Sequence, residues 1–498
     1  MFAPVASWNS HQRPNAKGHF VMDPSPGVLP ATLPIELHRD AATPLAVQLA
    51  DTLRAAAAAG HLRGGDRLPS TRALAGRLAV SRTVTAAAYE QLHAEGWITG
   101  RHGSGTYVTT APPGARAPAP RRRATKPADA NRIDLVPGAP WVDGLDRAAW
   151  RRAWRAAADA PPLQRPQRAG LPEYRSVIAE HLLRHRGLVL GAGLGEQDLL
   201  ATTGTTAAVA ELSVAVLKPG DVVAVEEPGY QRAVQAFRAH GIRVVAAPVD
   251  PDGLAVDAVP AKVRAVYCSP SHQYPLGGRM AAANRVALVE RARAEGWLVF
   301  EDDYDGELRY DVAPLPLLVG LAPDVVVHLG TTSKIFTSTL GTGWLVAPPD
   351  VVSAVLSLRE RTAVGPSAAG QRVLIELARH GDLGRHLRRL RRELSARREL
   401  VVGMLEAAGL AVLGDDAGAH VVVPLPSVAA ERQVVEAGLA AGIMLDGLAR
   451  HHDLRPRWHG IAIGYTACSR QELQSVLPVV VRLLDTAMTT ARPSHDSR

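Results

Sequence analysis

Val325-Val326-Val327-His328-Leu329-Gly330-Thr331-Thr332-Ser333-Lys334 is an apolar, β-branched run that stops at a glycine and passes through three hydroxyl residues into a lysine. Such a run reads as a buried strand. A lysine at the end of a buried strand loses solvation, which lowers its pKa and makes the neutral, nucleophilic amine accessible. That amine can hold an aldehyde cofactor covalently. Taken alone, these residues fit a loop lysine after a strand better than a cofactor anchor, since lysine is common in loops, so the rest of the chain has to decide.

Similar strand-like runs surround it, at Val222–Val225, Val244–Ala247, Val263–Tyr267, Trp297–Phe300 and Trp344–Val346, with amphipathic helix-length segments between most of them. This alternation predicts an α/β domain built on a mostly parallel sheet covered on both faces. Ligands of such sheets sit beyond the carboxyl ends of the strands, where Lys334 lies.

Pyridoxal phosphate makes four demands of a site, and each has a candidate at a strand end. Thr202-Thr203-Gly204-Thr205-Thr206-Ala207-Ala208 opens a helix with glycine and hydroxyls, so free backbone N–H groups and the helix dipole face an anion. Many helices open this way without binding anything. Phe300-Glu301-Asp302-Asp303-Tyr304-Asp305 places acids just past a buried strand. Asp302 is the candidate for the protonated pyridine nitrogen and Tyr304 for the ring's phenolic oxygen; an acidic loop that caps the next helix is the structural alternative. Tyr230, in Glu227-Pro228-Gly229-Tyr230, can stack on the ring. Lys334 is the fourth.

Composition sets the frame. A chain of 498 residues is too long for one core. Hydrophobic residues at 47% and charged residues at 21% are ordinary for a globular protein. Two cysteines, Cys268 and Cys468, exclude a disulfide framework and fit a reducing compartment. No apolar run is long enough for a membrane span and no signal pattern opens the chain, so a cytoplasmic protein with no membrane partner is expected. No metal site is expected. The net charge of +8 invites a polyanion, although heavy use of alanine, arginine and glycine weakens that argument.

Upstream, residues 1–36 carry prolines without a period and read as a flexible extension. From Thr43-Pro44 the pattern is helical, with Leu45, Leu49 and Leu53 on one face and Gly60 at the C-cap. After Gly64-Gly65, Ser70 is a candidate N-cap for a helix carrying Leu74 and Leu78. Ser81 is a candidate N-cap for another, with Val84, Ala88 and Leu92 as its buried stripe. Two short helices and a tight turn make a helix-turn-helix. Gly96-Trp97-Ile98-Thr99 and Thr106-Tyr107-Val108 then read as the strands of a wing. Ser81, Arg82, Thr83 and Thr85 lie where recognition helices meet base edges and phosphates. Arg67 and Arg72 are expected on the DNA backbone, and Arg101, His102 and Gly103 at the wing tip. Residues 37–110 form this domain. The stretch 111–131, with Arg121-Arg122-Arg123 among prolines, reads as a linker.

Leu68-Pro69-Ser70-Thr71-Arg72, Val80-Ser81-Arg82-Thr83-Val84, Glu95-Gly96-Trp97 and Gly103-Ser104-Gly105-Thr106-Tyr107-Val108 resemble the winged helix of GntR-family bacterial transcription regulators. Residues 132–487, followed by a tail over 488–498, resemble a fold-type I, class I aminotransferase domain. Gly170-Leu171-Pro172-Glu173-Tyr174-Arg175, Ser269-Pro270-Ser271-His272-Gln273-Tyr274-Pro275, the acidic run from Glu301 to Tyr310 and Arg385-His386-Leu387-Arg388-Arg389-Leu390-Arg391-Arg392 make the whole chain similar to the MocR/GabR subfamily. The resemblance implies a homodimer whose winged helices read a double-stranded DNA operator, and whose pyridoxal phosphate, or its adduct with a small amine or amino-acid effector, sets the binding mode. It implies Lys334 as the Schiff-base lysine, and Asp302, Tyr304 and Tyr230 as ring partners. It also implies Thr205, Thr206 and Thr331, with the Gly204 turn, as phosphate ligands, and Arg232 as a grip for an effector carboxylate.

There are two departures. Relatives carry a phosphate-pairing arginine seven residues after the lysine, where this chain has Gly341. Losing such a charge-assisted pair costs about 1.5–3 kcal/mol, so the cofactor is expected to be held more weakly. Near the C-terminus, Arg457 in Arg455-Pro456-Arg457-Trp458 is only an approximate match for the late-strand carboxylate arginine. Three readings stay open: a cofactor-sensing regulator, an active aminotransferase with an accessory DNA-binding domain, and a cofactor-free repressor whose large domain only dimerises. The intact winged helix and the Lys334–Asp302–Tyr304 set favour the first.

Overall fold

The computed structural model describes residues 35–101, 105–109, 132–190, 194–310 and 315–490. The linker, His102, Gly103 and nearly all of the N-terminal extension and C-terminal tail lie outside them. The chain divides into two compact units, 1–128 and 129–498.

In the first unit the order is α1 (Leu45–Ala58), β1 (Arg67–Leu68), α2 (Thr71–Leu78), α3 (Arg82–Ala94), β2 (Ile98–Arg101) and β3 (Gly105–Val108). Helix α1 buries Leu49 and Leu53 and stops short of Gly60, whose φ of +76° breaks the helix. The Ser70 and Ser81 hydroxyls accept from Ala73 N at 3.2 Å and Val84 N at 3.3 Å, so both expected N-caps are made. The turn between α2 and α3 passes through Ala79 at φ +51°, and the Arg39 guanidinium donates to its carbonyl at 2.6 Å. The wing is an antiparallel sheet of order β1-β3-β2. Its strands run two residues later and one residue earlier than expected. The third strand, Arg67–Leu68, was not anticipated, because two residues carry no readable period.

The second unit opens with β4 (Ile133–Asp134), α4 (Arg147–Asp159), α5 (Pro172–Arg186), β5 (Leu199–Thr202), α6 (Thr205–Ala215), β6 (Val222–Glu227), α7 (Gln231–Ala239), β7 (Arg243–Asp250) and β8 (Gly253–Leu254). It continues with β9 (Ala265–Cys268), α8 (Ala282–Glu295), β10 (Leu298–Asp303), α9 (Leu318–Leu321), β11 (Val326–Thr331), β12 (Gly343–Val346), α10 (Pro349–Thr362), α11 (Ala368–Arg379) and α12 (Asp382–Ala407). It closes with β13 (His420–Pro424), α13 (Val428–Ala440), β14 (Ile443–Met444), β15 (Asp446–Gly447), β16 (Gly460–Gly464) and α14 (Arg470–Thr490).

The large sheet has the order β5-β12-β11-β10-β9-β6-β7-β8, with β12 antiparallel to both neighbours, β8 antiparallel to β7 and the other pairings parallel. Strand residues sort by parity between two apolar clusters. Tyr267, Phe300, Val327 and Leu329 pack with α6, α7 and α10, while Val266, Val299 and Val326 join the larger cluster on the other face. A smaller antiparallel sheet, β13-β16-β15, packs against α13. Among the described residues no helix is long and apolar enough to cross a membrane.

Candidate functional site

Strand β10 runs to Asp303, so Glu301, Asp302 and Asp303, expected just past a strand, are its last residues, and Asp305 follows it. The parity of the strand then separates them. Asp302 shares the face of Phe300 and Tyr267, whereas Glu301 and Asp303 turn to the opposite face. Asp302 is buried, and its Oδ2 accepts from the Tyr267 hydroxyl. Its Oδ1 is buried without a partner among the described residues. Burial pushes this carboxyl up to about 7, and the Tyr267 donor opposes the shift. An unmet buried acceptor of this kind is costly unless something brings it a donor. A protonated pyridine nitrogen fits that need.

Lys334 follows β11 by one short turn. Burial holds its ammonium below the usual lysine range, while Asp305 and Asp302 pull it back and Arg232 adds to the lowering. Its Nζ donates to Gly138 O at 2.8 Å. The Tyr304 hydroxyl lies 3.0 Å from His272 Nδ1, which is also 2.8 Å from Asp305 Oδ2. A proton on Nδ1 serves both oxygens and leaves the phenol's own proton free to donate. The Tyr230 hydroxyl meets Thr206 Oγ1 at 3.1 Å, tying the aromatic face to the first turn of α6. Gly204, at φ +127°, caps that helix, and a side chain there would come within 3.5 Å of Thr331 Oγ1. The α6 turn and the end of β11 therefore face each other, as a phosphate site requires. Gly341 has φ +62°, with open space where a side chain would project.

The remaining acids of the 301–310 run each hold framework. Glu301 accepts from Leu318 N at 2.7 Å, so it does cap the next helix, as the structural alternative had it. Asp303 pairs with buried Arg186 at 2.7 Å, and Glu307 with His181 at 2.8 Å. From α12, His386 donates to Ile335 O, the carbonyl next to Lys334, and stacks on Phe336 at 4.7 Å between ring centres. Arg391 donates to Glu307 O. The arginine-rich run is thus a brace for the lysine turn and the acidic run. In the Gly170–Arg175 motif, Tyr174 donates to Gly343 O at 2.8 Å, at the start of β12.

Arg232 is exposed, and its charge bears on Lys334, Tyr230 and Tyr274. Arg457 is exposed on the stretch before β16 and is not among the charges that bear on these groups; Arg450 bears on Tyr274 instead. Reading the residues alone missed Tyr267 and His272. The register of β9 against β10 could have found Tyr267, since a phenol on the same face lies one diagonal step from Asp302. Among the described residues no group of three or more His, Cys, Asp or Glu is arranged to hold a metal ion.

In the first unit Arg67, Arg72, Ser81, Arg82 and Thr83 are exposed on the helix-turn-helix and wing. Thr85 is a correction. It is 0% exposed, and its hydroxyl lies 2.9 Å from Thr71 O and 3.0 Å from Arg82 O, so it joins α3 to α2 rather than reaching DNA. Thr85 and Tyr89 join the expected Ala88 and Leu92 in the buried stripe, and Val84 is only half-buried. The side chain of Arg101 lies outside the described residues.

Residues 45–108 match the family of bacterial regulatory proteins called gntR, and residues 142–449 match aminotransferase class I and II. The HTH-type pyridoxine biosynthesis transcriptional regulator PdxR of Corynebacterium glutamicum is 36% identical over 375 residues, covering 74% of this chain and 81% of that protein. The probable rhizopine catabolism regulatory protein MocR of Rhizobium meliloti is 32% identical over 464 residues, covering 86% and 91%. Kynurenine aminotransferase of Pyrococcus horikoshii superposes with a TM-score of 0.65 at 24% identity, covering 73% of this chain and 92% of that one, which shows the fold.

Proposed function

Because the chain belongs to the MocR/GabR-type branch of the GntR family, a helix-turn-helix domain fused to an aminotransferase class I and II domain, we propose that it is a DNA-binding transcription regulator that senses pyridoxal phosphate through Lys334. The observation that carries the sensing is the unmet Oδ1 of Asp302 on the face shared with Tyr267, beside Lys334. When bound, the cofactor supplies a carbonyl that captures primary amines and a ring that withdraws electrons. Lys334 would hold it covalently, and Asp302 Oδ1 would accept from its ring nitrogen. Tyr304 would donate to its phenolic oxygen and Tyr230 would lie against its face. Gly204, Thr205, Thr206 and Thr331 would take its phosphate through backbone and hydroxyl donors, without the arginine that Gly341 replaces. Burial of the amine favours its neutral form, and the nearby carboxylates keep the resting proton at hand.

The effector would be a small amine or amino acid whose carboxylate meets Arg232 at the exposed side of the site. The large units would pair as a homodimer, and Arg67, Arg72, Ser81, Arg82 and Thr83 would meet an operator, the arginines on phosphates and the α3 start on base edges. Lys334→Ala tests the reading. The variant should lose the visible absorbance of lysine-bound cofactor and keep operator binding that no longer responds to added cofactor. An unchanged response in that variant would sink it. Sustained transamination by the wild type would favour the enzyme reading instead.

A further inference from the structure

We propose that Tyr267 is the positioning residue for the cofactor's ring nitrogen: its hydroxyl occupies Oδ2 of Asp302 and leaves Oδ1, in one fixed direction, to accept the ring N–H. This rests on the cofactor reading above. Strand register places the phenol. Tyr267 on β9 lies opposite Phe300 on β10, so Asp302 stands two residues further along the same face, a diagonal that a tyrosine spans. The ring is locked: it is 1% exposed and edge-on to Phe237 at 6.0 Å, and Phe237 is stacked on Phe300 at 6.1 Å.

Two consequences follow from that lock. A carboxylate with one oxygen pinned keeps one orientation, so its other oxygen is ordered before a ligand arrives. A hydroxyl donor also favours the ionised carboxylate and so works against burial. The titratable groups that bear on Asp302 come from several elements: Tyr267 and Cys268 on β9, Glu226 on β6, Tyr230 just after β6, Asp303 at the end of β10, Tyr304 and Asp305 just past it, and Lys334 after β11. Among the described residues Tyr267 is the one hydrogen-bonded to it. Tyr267 would act on the ring through Asp302, to which its hydroxyl donates.

The experiment loads full-length wild type, Tyr267→Phe, Asp302→Asn and the double variant with pyridoxal phosphate. It follows the visible band against pH and the rate of cofactor loss on dilution. Tyr267→Phe should load, lose the cofactor roughly tenfold faster and show a displaced pH midpoint. In the Asp302→Asn background the same change should alter neither quantity, since the phenol has no carboxylate left to hold. Equal rates and midpoints in wild type and Tyr267→Phe overturn the proposal, as does an equal loss in both backgrounds. If Tyr267→Phe does not fold, a double variant that folds supports the proposal. A double variant that also fails overturns it, because the phenol would then be holding the core. A wild type that takes up no cofactor brings down the cofactor reading and this proposal together, whereas a wild type that loads and a variant that matches it bring down this proposal alone.

Discussion

Asp302 is held between burial, which raises its carboxyl to about 7, and a single hydroxyl donor that opposes the rise. An unfolded aspartate ionises near 3.8, so between about pH 4 and 7 the folded chain keeps a proton that the unfolded chain releases. Stability therefore falls as pH rises through that window, and Asp302→Asn should flatten the fall by on the order of a few kcal/mol in urea unfolding. Glu226, pushed up to about 8 by burial, titrates nearby, so the difference between the two chains is the quantity to read. A ring N–H needs the ionised carboxylate. Cofactor retention should accordingly tighten as pH climbs toward 7 in wild type, and Asp302→Asn should lose that dependence. At Gly341 the missing arginine is testable in the opposite direction: Gly341→Arg should slow cofactor loss roughly tenfold. It should do so despite about 1–2 kcal/mol of backbone strain at φ +62°. Equal loss rates in both chains would remove the phosphate argument. That Lys334, Asp302, Tyr304 and Tyr230 stand at strand ends was legible, because apolar runs mark those strands. Tyr267 was not, because its role depends on which strand lies beside β10, and sheet order is not written in any local period.

Helices tie these residues into place. Helix α12 reaches the lysine turn through His386, whose Nε2 donates to Ile335 O while its ring stacks on Phe336. His386→Ala removes both contacts and strands a buried carbonyl, which should cost about 2–4 kcal/mol of unfolding free energy and loosen cofactor retention. Full stability in that variant would show that the turn needs no brace. In the first unit α3 is bound to α2 by Thr85, whose hydroxyl reaches Thr71 O. Thr85→Val should lower the stability of this unit by about 1–2 kcal/mol and weaken operator binding no more than that loss of folding explains. A change in operator preference at full stability would restore Thr85 to the interface. The misplacement has a physical origin: Thr85 lies three and seven residues before the buried Ala88 and Leu92, the spacing of one helix face, but its hydroxyl made the more apolar Val84 beside it read as the core residue. The expected strands near Val222, Val244, Val325 and Trp344 are present, since their β-branched runs are long enough to declare themselves. Pieces such as β1 and β4 exist only through their partners.

At the scale of the whole chain, two compact units carry two sets of groups: exposed arginines on a helix-turn-helix, and a buried acid with a half-buried phenol and lysine at strand ends of a mostly parallel sheet. The net charge of +8 arises almost entirely from arginine, because the chain has five lysines: Lys17, Lys126, Lys218, Lys262 and Lys334. Lys218 and Lys262 are exposed, and Lys17 and Lys126 lie outside the described residues. Lys334 is the described lysine whose amine is held below its usual range by burial. That scarcity makes covalent capture at Lys334 direct to test. Full-length protein is incubated with pyridoxal phosphate, reduced with borohydride and mapped by peptide mass spectrometry. The pyridoxyl mass is expected on the peptide carrying Lys334 and absent from Lys334→Ala. A label spread over Lys218 and Lys262, or none on Lys334, would contradict it.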